Sequence, residues 1–397
     1  MTIRRNTRKI KVGNAYIGGD APILIQTMTA VKTQDVDAVV ASITELANAG
    51  ARLVRVAVDT EADADALAEI RARVDANLSV DLQENYKLAE KVAPYVDKIR
   101  YNPGKLNLVA RDETWQKKVE YLVNVAQQND CALRVGVNCG SLDPEIVARY
   151  LSDELTDANP ADPLIASALE HVDFIESLGF TRYCVSIKDS DPQTVRLANA
   201  RFAELRPEIP LHLGVTEAGL PPRGVVKSRV ALEPLLAAGI GETLRVSLTV
   251  PADQKTQELD AARLILANVA TGAIADASLL RDRALNVISC PSCSRVQNSR
   301  FVELAQKVEE ATSFARNYPF TIAVMGCRVN GPGETDGADI GLWCGGEKVN
   351  LKSGVTLIGT FGYDEIIDRT LELLYQKIKL FDAAQLGGAA LGDGLYA

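Results

Sequence analysis

The chain has 397 residues, and its 43 Lys and Arg against 52 Asp and Glu give a formal charge of −9. That balance excludes a generic binder of nucleic acid or of an anionic membrane surface, while leaving room for a local basic pocket. Two histidines, His171 and His212, are too few for a histidine-rich zinc site or a paired-histidine mechanism.

The opening stretch MTIRRNTRKIKVGN is polar and basic, without the apolar centre of a signal peptide. No window approaches the roughly 18 consecutive apolar residues of a membrane helix. Seven cysteines, an odd number, argue for reduced thiols rather than a disulfide scaffold, so the expectation is a cytoplasmic protein. Eight β-rich runs follow, at residues 23–29, 53–58, 78–83, 98–103, 133–138, 183–188, 211–216 and 243–248. Amphipathic segments such as 35–50 and 192–205 separate them. Strands alternating with helices predict an α/β fold, and a count that closes at eight favours a (β/α)8 barrel over residues 1–270 against an open doubly wound sheet. A polar linker spans 271–284. Residues 285–380 read as a small α+β domain: a helix at 300–316, a strand at 320–325, and short runs at 339–343, 348–351 and 355–359 expected to pair antiparallel. A last helix at 363–381 leads into a flexible Gly/Ala-rich tail, 381–397.

Side chains alternate across a barrel strand, so the apolar parity identifies the face turned to the helices. In LVRVAV the outward set is Val54, Val56 and Val58, which turns Arg55 inward. In YCVSIK, Val185 and Ile187 face out, while Cys184, Ser186 and Lys188 face in. The same test turns Gln26, Asp81, Gln83, Arg100, Asn102, Arg134, Asn138, His212, Thr216, Arg245 and Ser247 inward. Five cations, Arg55, Arg100, Arg134, Lys188 and Arg245, thus converge where Val, Ile and Leu are usual. Buried like charges are costly unless paired, and guanidinium forks suit phosphate oxygens, so a bound diphosphate is the simplest explanation. The bland alternative has some of them facing helices or solvent beside surface carboxylates. Glu217 follows the seventh strand, where a carboxylate reads as a general acid or as an anchor for a ligand hydroxyl. It could equally answer a helix dipole. A lone inward histidine such as His212 is ordinarily a satisfied core residue.

Cys290-Pro-Ser-Cys293 has Cys327 and Cys344 as sequence mates, and no thioredoxin-like context surrounds it. Three or four thiolates in one small domain fit an iron–sulfur cluster or a four-cysteine zinc site. The turn Asn330-Gly331-Pro332-Gly333 can fold Glu334 back toward Cys327. A hard carboxylate on soft, thiolate-bound iron is labile, and a closed structural zinc site gains nothing from it, which favours a cluster with one exchangeable position. Cys344 keeps the zinc option open as a fourth thiolate. Cys131, Cys139 and Cys184 read as small core residues.

Together the stretches VGNAYIGGDAPILIQTMT, AGARLVRVAV, IRYNPGKL, LRVGVNCGSL, VSIKDSD, LHLGVTEAG, SCPSCSR and AVMGCRVNGPGETDGADIG span residues 12–341. In this order they closely resemble the family of 4-hydroxy-3-methylbut-2-enyl diphosphate synthases, in its compact bacterial form. The resemblance implies a TIM-type barrel followed by a ferredoxin-like domain carrying one [4Fe–4S] cluster on Cys290, Cys293, Cys327 and Glu334, with Cys344 a bystander. It implies 2-C-methyl-D-erythritol 2,4-cyclodiphosphate as substrate, held by Arg55, Arg100, Arg134 and Lys188, with Asn102, Asn138 and Arg245 beside them. Glu217 matches the family's proton-delivering carboxylate. Reduced flavodoxin or ferredoxin would supply electrons, and a head-to-tail homodimer would join the barrel of one copy to the cluster of the other. After the third strand the family commonly has an Asp-Ile-His-Phe-like run. Here it reads Asp81-Leu82-Gln83-Glu84-Asn85, so a rim histidine is absent, and Ser294 stands where many relatives have Gly. Two competing readings differ in what they need. A non-enzymatic phosphometabolite-binding barrel with structural zinc requires Cys344 and not Glu334. A barrel enzyme such as a pterin-binding methyltransferase gives the cysteine set no role.

Overall fold

A computed structural model describes residues 4–108, 110–150, 159–280, 284–296, 298–327 and 331–389. Two compact units make up the chain: Met1–Leu279 with Cys290–Arg295, and Leu280–Ser289 with Val296–Ala397.

The first unit opens with a hairpin, β1 (Ile10–Val12) and β2 (Ala15–Ile17), turned at Gly13 in the left-handed region (φ 59°). Eight parallel strands follow: β3 (Leu24–Met28), β4 (Leu53–Ala57), β5 (Leu78–Gln83), β6 (Lys98–Tyr101), β7 (Ala132–Asn138), β8 (Tyr183–Lys188), β9 (His212–Leu213) and β10 (Thr243–Leu244). Their order, β8-β7-β6-β5-β4-β3-β10-β9, is brought round by a parallel bridge between Val185 and Leu211, giving the eight-stranded barrel that the sequence pattern predicts. The helices between strands start where the sequence provides caps. Asp35 caps Val36–Asn48, Thr60 and Asp63 form a capping box on Glu61–Arg73, and Asp191 with Pro192 starts Pro192–Leu205. Among the described residues no helix is long and apolar enough to cross a membrane.

Strand parity divides the barrel as expected. Val54, Val56, Val80, Ile99, Val135, Val185 and Ile187 pack in one cluster with helix residues such as Val39, Ile43, Leu67 and Leu122. The inward face is layered. At the strand starts, Leu24, Leu53, Ala132 and Cys184 pack against Ile10, Val12, Ala15 and Ile17, so the hairpin forms an apolar floor. Above it the inward positions are polar. The last two strands are shorter than the seven- and six-residue β7 and β8. Beyond Leu213 the backbone leaves the ladder at Gly214, where a Cβ would lie 2.6 Å from Lys188 Nζ and 2.7 Å from the Arg245 carbonyl.

The second unit is a five-stranded sheet in sequence order: β11 (Asn286–Ser289), β12 (Thr321–Met325), β13 (Ile340–Cys344), β14 (Lys348–Ser353) and β15 (Thr356–Gly362). The runs expected to pair antiparallel do so, β13 with β14 and β14 with β15, whereas β11, β12 and β13 run parallel to one another. Parallel neighbours need crossovers. Arg300–Ala311 supplies the first, and Gly331–Gly337 supplies the second as a helix where a tight turn was expected. The strand β11 was missed. The final helix, Ile366–Ala389, continues past Phe381, and the rest of the expected tail, 390–397, lies outside the described residues.

Candidate active site

The five cations predicted to point inward are all buried, between 2% and 9% exposed. They are not equivalent. Arg245 reaches Glu258 at 3.2 Å, and Glu258 also accepts from Lys255 at 2.6 Å, Thr27 Oγ1 at 3.1 Å and the Leu248 amide at 3.1 Å. Burial opposes ionisation of Glu258, but Arg245 and Lys255 hold its carboxyl below the usual range. Arg245 therefore brings its own anion, which the sequence reading did not foresee because Glu258 sits on a helix, Thr256–Thr271.

The others share far less negative charge. Arg100 Nη1 donates to Asp81 at 2.8 Å and Nη2 to the Gly136 carbonyl at 2.7 Å. A Cβ at position 136 would collide with Arg100 Nε, so this strand glycine makes room for the guanidinium. Arg55 lies 3.9 Å from Asp81 and rests on the Met28 sulfur at 2.9 Å. Arg134 Nε and Nη1 have no hydrogen-bond partner among the described residues. Burial, and then the charge of Arg100, push its guanidinium down to about 10. Burial also drives Lys188 well below the ordinary lysine value, and Arg134, Arg245 and Arg55 add to it. Burying such a nest without matching counter-charge is costly.

Lys98 shares the parity of Arg100 and belongs to the same set, although it was passed over. Fully buried, it donates to Gln26 Oε1 at 2.9 Å, and burial pushes it down to about 7. His212 is not the satisfied core residue expected. It is fully buried, and neither ring nitrogen has a hydrogen-bond partner among the described residues. Burial, then Arg134 and Lys188, hold its pKa well below 6.5, so the ring is neutral.

At the upper end of the strands Asn102 donates to Gln83 Oε1 (3.1 Å) and Ser141 Oγ (2.8 Å), while its own Oδ1 has no partner among the described residues. Gln83 adopts φ 47° at an irregularity between β5 and β6. Asn138 donates to Thr216 Oγ1 at 3.3 Å. The next residue, Glu217, is buried and also left-handed, at φ 47°. A non-glycine residue there costs about 1–3 kcal/mol, a strain that clusters at functional sites.

The segment Cys290–Arg295 is grouped with the barrel. Cys290 is buried, Cys293 half-buried, and Ser292 between them is left-handed at φ 51°. Thr249 Oγ1 donates to the Cys290 carbonyl at 3.0 Å, and Lys255 Nζ to the Pro291 carbonyl at 2.6 Å. Cys327 and Glu334 lie in the second unit, both buried. Cys327 bridges Val296, and its carbonyl accepts from the Gly331 amide that opens the Glu334 helix at 3.1 Å. Between Cys327 and the Glu334 helix, residues 328–330, including Asn330 of the predicted turn, lie outside the described residues. Among the described residues no three His, Cys, Asp or Glu side chains come together as a metal site.

An eight-stranded α/β barrel with a buried cationic interior, followed by a mixed-sheet domain, defines the class of α/β-barrel proteins to which the chain belongs. Comparison with known proteins narrows this. Residues 7–263 match the GcpE TIM-barrel domain, and residues 286–376 match the GcpE protein C-terminal domain. The 4-hydroxy-3-methylbut-2-en-1-yl diphosphate synthase (flavodoxin) of Rhodopirellula baltica is 55% identical over 93% of this chain and 96% of its own length. Its counterpart in Persephonella marina is 38% identical over 94% and 98%, and that of Acinetobacter baylyi 38% over 96% of each. The chain belongs to this family of oxidoreductases, as its motifs indicate.

Proposed function

We infer that the chain carries out the reductive step for which its relatives are named. Two electrons and two protons convert 2-C-methyl-D-erythritol 2,4-cyclodiphosphate to 4-hydroxy-3-methylbut-2-enyl diphosphate and water, with ring opening and loss of the C3 oxygen. The observation that carries this reading is the buried nest of Arg55, Arg100, Arg134 and Lys188, whose counter-charge within the barrel is mainly Asp81. These side chains grip the diphosphate oxygens, with Arg245 held beside them by Glu258. Asn102 Oδ1, without a partner among the described residues, accepts from a ligand hydroxyl, and Asn138 orients the ligand from the next strand. Glu217, fixed by its strained backbone, delivers a proton to the leaving oxygen.

A [4Fe–4S] cluster held by Cys290, Cys293, Cys327 and Glu334 would supply the electrons one at a time, from reduced flavodoxin or ferredoxin. The donor set suits it: three soft thiols and one exchangeable hard carboxylate. Cys344, the fourth thiol that a structural zinc site needs, is buried and pushed up to about 12 by that burial, which keeps it a protonated core thiol. A cytoplasmic head-to-tail homodimer, in which the barrel of one copy works with the cysteines of the other, completes the reading. Mixing the inactive variants Glu217→Gln and Cys327→Ser should then restore turnover, which a site built within one chain forbids.

The deciding experiment is anaerobic purification with an absorption spectrum, iron analysis and a cyclodiphosphate assay with reduced flavodoxin. A brown protein that turns over the cyclodiphosphate is expected. A colourless protein with one zinc per chain and no turnover overturns the reading.

A further inference from the structure

We propose that Gln83 is a positioning residue that sets the polarity of the barrel rim, turning the Asn102 amide so that it offers an acceptor to a ligand hydroxyl and no donor to a phosphate. The direction is imposed from Asp81. An ionised carboxylate can only accept hydrogen bonds. Burial opposes ionisation of Asp81, but Arg100 and then Arg295 hold its carboxyl well below the usual range, Arg100 donating to Oδ1 at 2.8 Å. Gln83 must therefore meet it with its amide nitrogen, and Nε2 lies 3.4 Å from Asp81 Oδ2. That leaves Gln83 Oε1 to accept, and Asn102 Nδ2 donates to it at 3.1 Å. Nδ2 also donates to Ser141 Oγ at 2.8 Å, and the Ser141 hydroxyl in turn donates to the Asn138 carbonyl at 3.5 Å. Both donors of the Asn102 amide are thus engaged. Its Oδ1 is the polar atom left over, buried and without a partner among the described residues.

Turning the Asn102 amide over would set oxygen against oxygen at Gln83 and leave a buried carbonyl facing the wrong partner, so one orientation prevails. Gln83 takes up this post at the end of β5 only by adopting the left-handed φ of 47°, at the irregularity between β5 and β6. Strain kept at a buried polar residue points to a role in the site rather than in packing. The consequence is a sorting of ligand groups. An ionised diphosphate has only acceptors, so it gains nothing at Asn102 Oδ1 and is directed to the arginines. A hydroxyl on the carbon skeleton finds its acceptor at Asn102. One carboxylate, Asp81, thereby serves the nest through Arg100 and the rim through Gln83. The relay rests on the reading that the ligand is the cyclodiphosphate, which carries free hydroxyls beside its diphosphate.

The test uses the full-length protein purified anaerobically and compares calorimetric affinities for two probes, the cyclodiphosphate and inorganic pyrophosphate, which has no carbon hydroxyl. Gln83→Met, similar in size but without the amide, frees Asn102 to turn over. It should weaken cyclodiphosphate binding about ten-fold and change pyrophosphate binding by less than about two-fold. Gln83→Glu keeps an acceptor for Asn102 but adds charge beside Asp81, so pyrophosphate should lose at least as much affinity as the cyclodiphosphate. This opposite signature keeps the proposal testable if the methionine variant fails to fold. Equal losses for both probes in Gln83→Met mean that Gln83 merely supports the barrel mouth, and they overturn the relay, as does no loss for either. A Gln83→Glu protein that loses only the cyclodiphosphate overturns it too. If the unaltered protein binds pyrophosphate but not the cyclodiphosphate, the substrate reading fails and the relay with it. If it binds neither, the arginine nest is itself misread.

Discussion

The two ends of the barrel interior are built on opposite terms. At the floor, Leu24, Leu53, Ala132 and Cys184 pack against the hairpin residues Ile10, Val12, Ala15 and Ile17, so burial is apolar. Above the floor the same strands bury Arg55, Lys98, Arg100, Arg134 and Lys188, whose burial opposes folding. The floor and the outer cluster stabilise the barrel, and the upper layers spend part of that stability on burying a cluster of cations. Mutations in the two layers should therefore move stability and ligand binding in different directions.

The largest separation is expected at Arg134. Replacing it by Met removes a fully buried charge whose Nε and Nη1 have no partner among the described residues. Loss of one desolvated charge-assisted contact to phosphate costs about 2–5 kcal/mol, so kcat/KM should fall by roughly 30-fold to a few thousand-fold. Stability should rise, because an unpaired buried charge gives way to an apolar side chain. A thermal melt that drops together with activity would show that Arg134 is structural. At the floor the effects reverse. Ile17 is fully buried, and Ile17→Ala should destabilise by about 2–5 kcal/mol while leaving KM for the cyclodiphosphate unchanged. Denaturant unfolding and steady-state kinetics on one preparation check both halves.

Lys98 marks the boundary, pairing in register with the floor residue Ala132. Burial pushes it down to about 7, with Arg134 and Arg55 adding to this and Cys184 opposing. An unfolded chain keeps lysine near its ordinary value of about 10.4. Between those two values the unfolded state binds more protons, so the Lys98 contribution makes stability rise with pH, and its full cost is felt below pH 7. The stability advantage of Lys98→Met should accordingly shrink by about 2 kcal/mol between pH 7 and pH 9. Parallel unfolding curves of the two proteins across that range test the sign, and a constant difference would mean that folded Lys98 keeps its proton up to pH 9, as the unfolded chain does.

What could be read in the sequence follows the same division. The inward cations were legible because their neighbours Val54, Val56, Val185 and Ile187 are so consistently apolar that period-2 parity admits one solution. The floor was not, since Leu53 and Ala132 are apolar on both parities and the hairpin strands have only three residues each. Counter-ions were also hidden: Glu258 comes from a helix and Arg295 from a loop, and only the tertiary fold brings either to the barrel. In the second unit the crossover Gly331–Gly337 is written in residues that signal a turn. It is helical because Thr335 Oγ1 bonds the Gly331 carbonyl at 2.8 Å and Gly331 fits against Trp343, where a Cβ would come within 3.0 Å.

One legible signal went unused, and it sharpens the contrast between the layers most finely. A lone glycine inside a strand pattern marks a close approach. Gly136 in LRVGVN and Gly214 in HLGV both lie in the polar layers and make room for Arg100 and Lys188. Gly136→Ala should add about half a kcal/mol or more of strand propensity and remove backbone freedom from the unfolded chain. Against that, its methyl must displace Arg100, which is tied to Asp81 and to the carbonyl of residue 136 itself. If the upper layer exists for the ligand, pyrophosphate affinity should fall about ten-fold, the worth of one misplaced contact, with little change in the melting temperature. If Arg100 is instead part of the structural core, the melt should drop and affinity should follow it only as far as folding does.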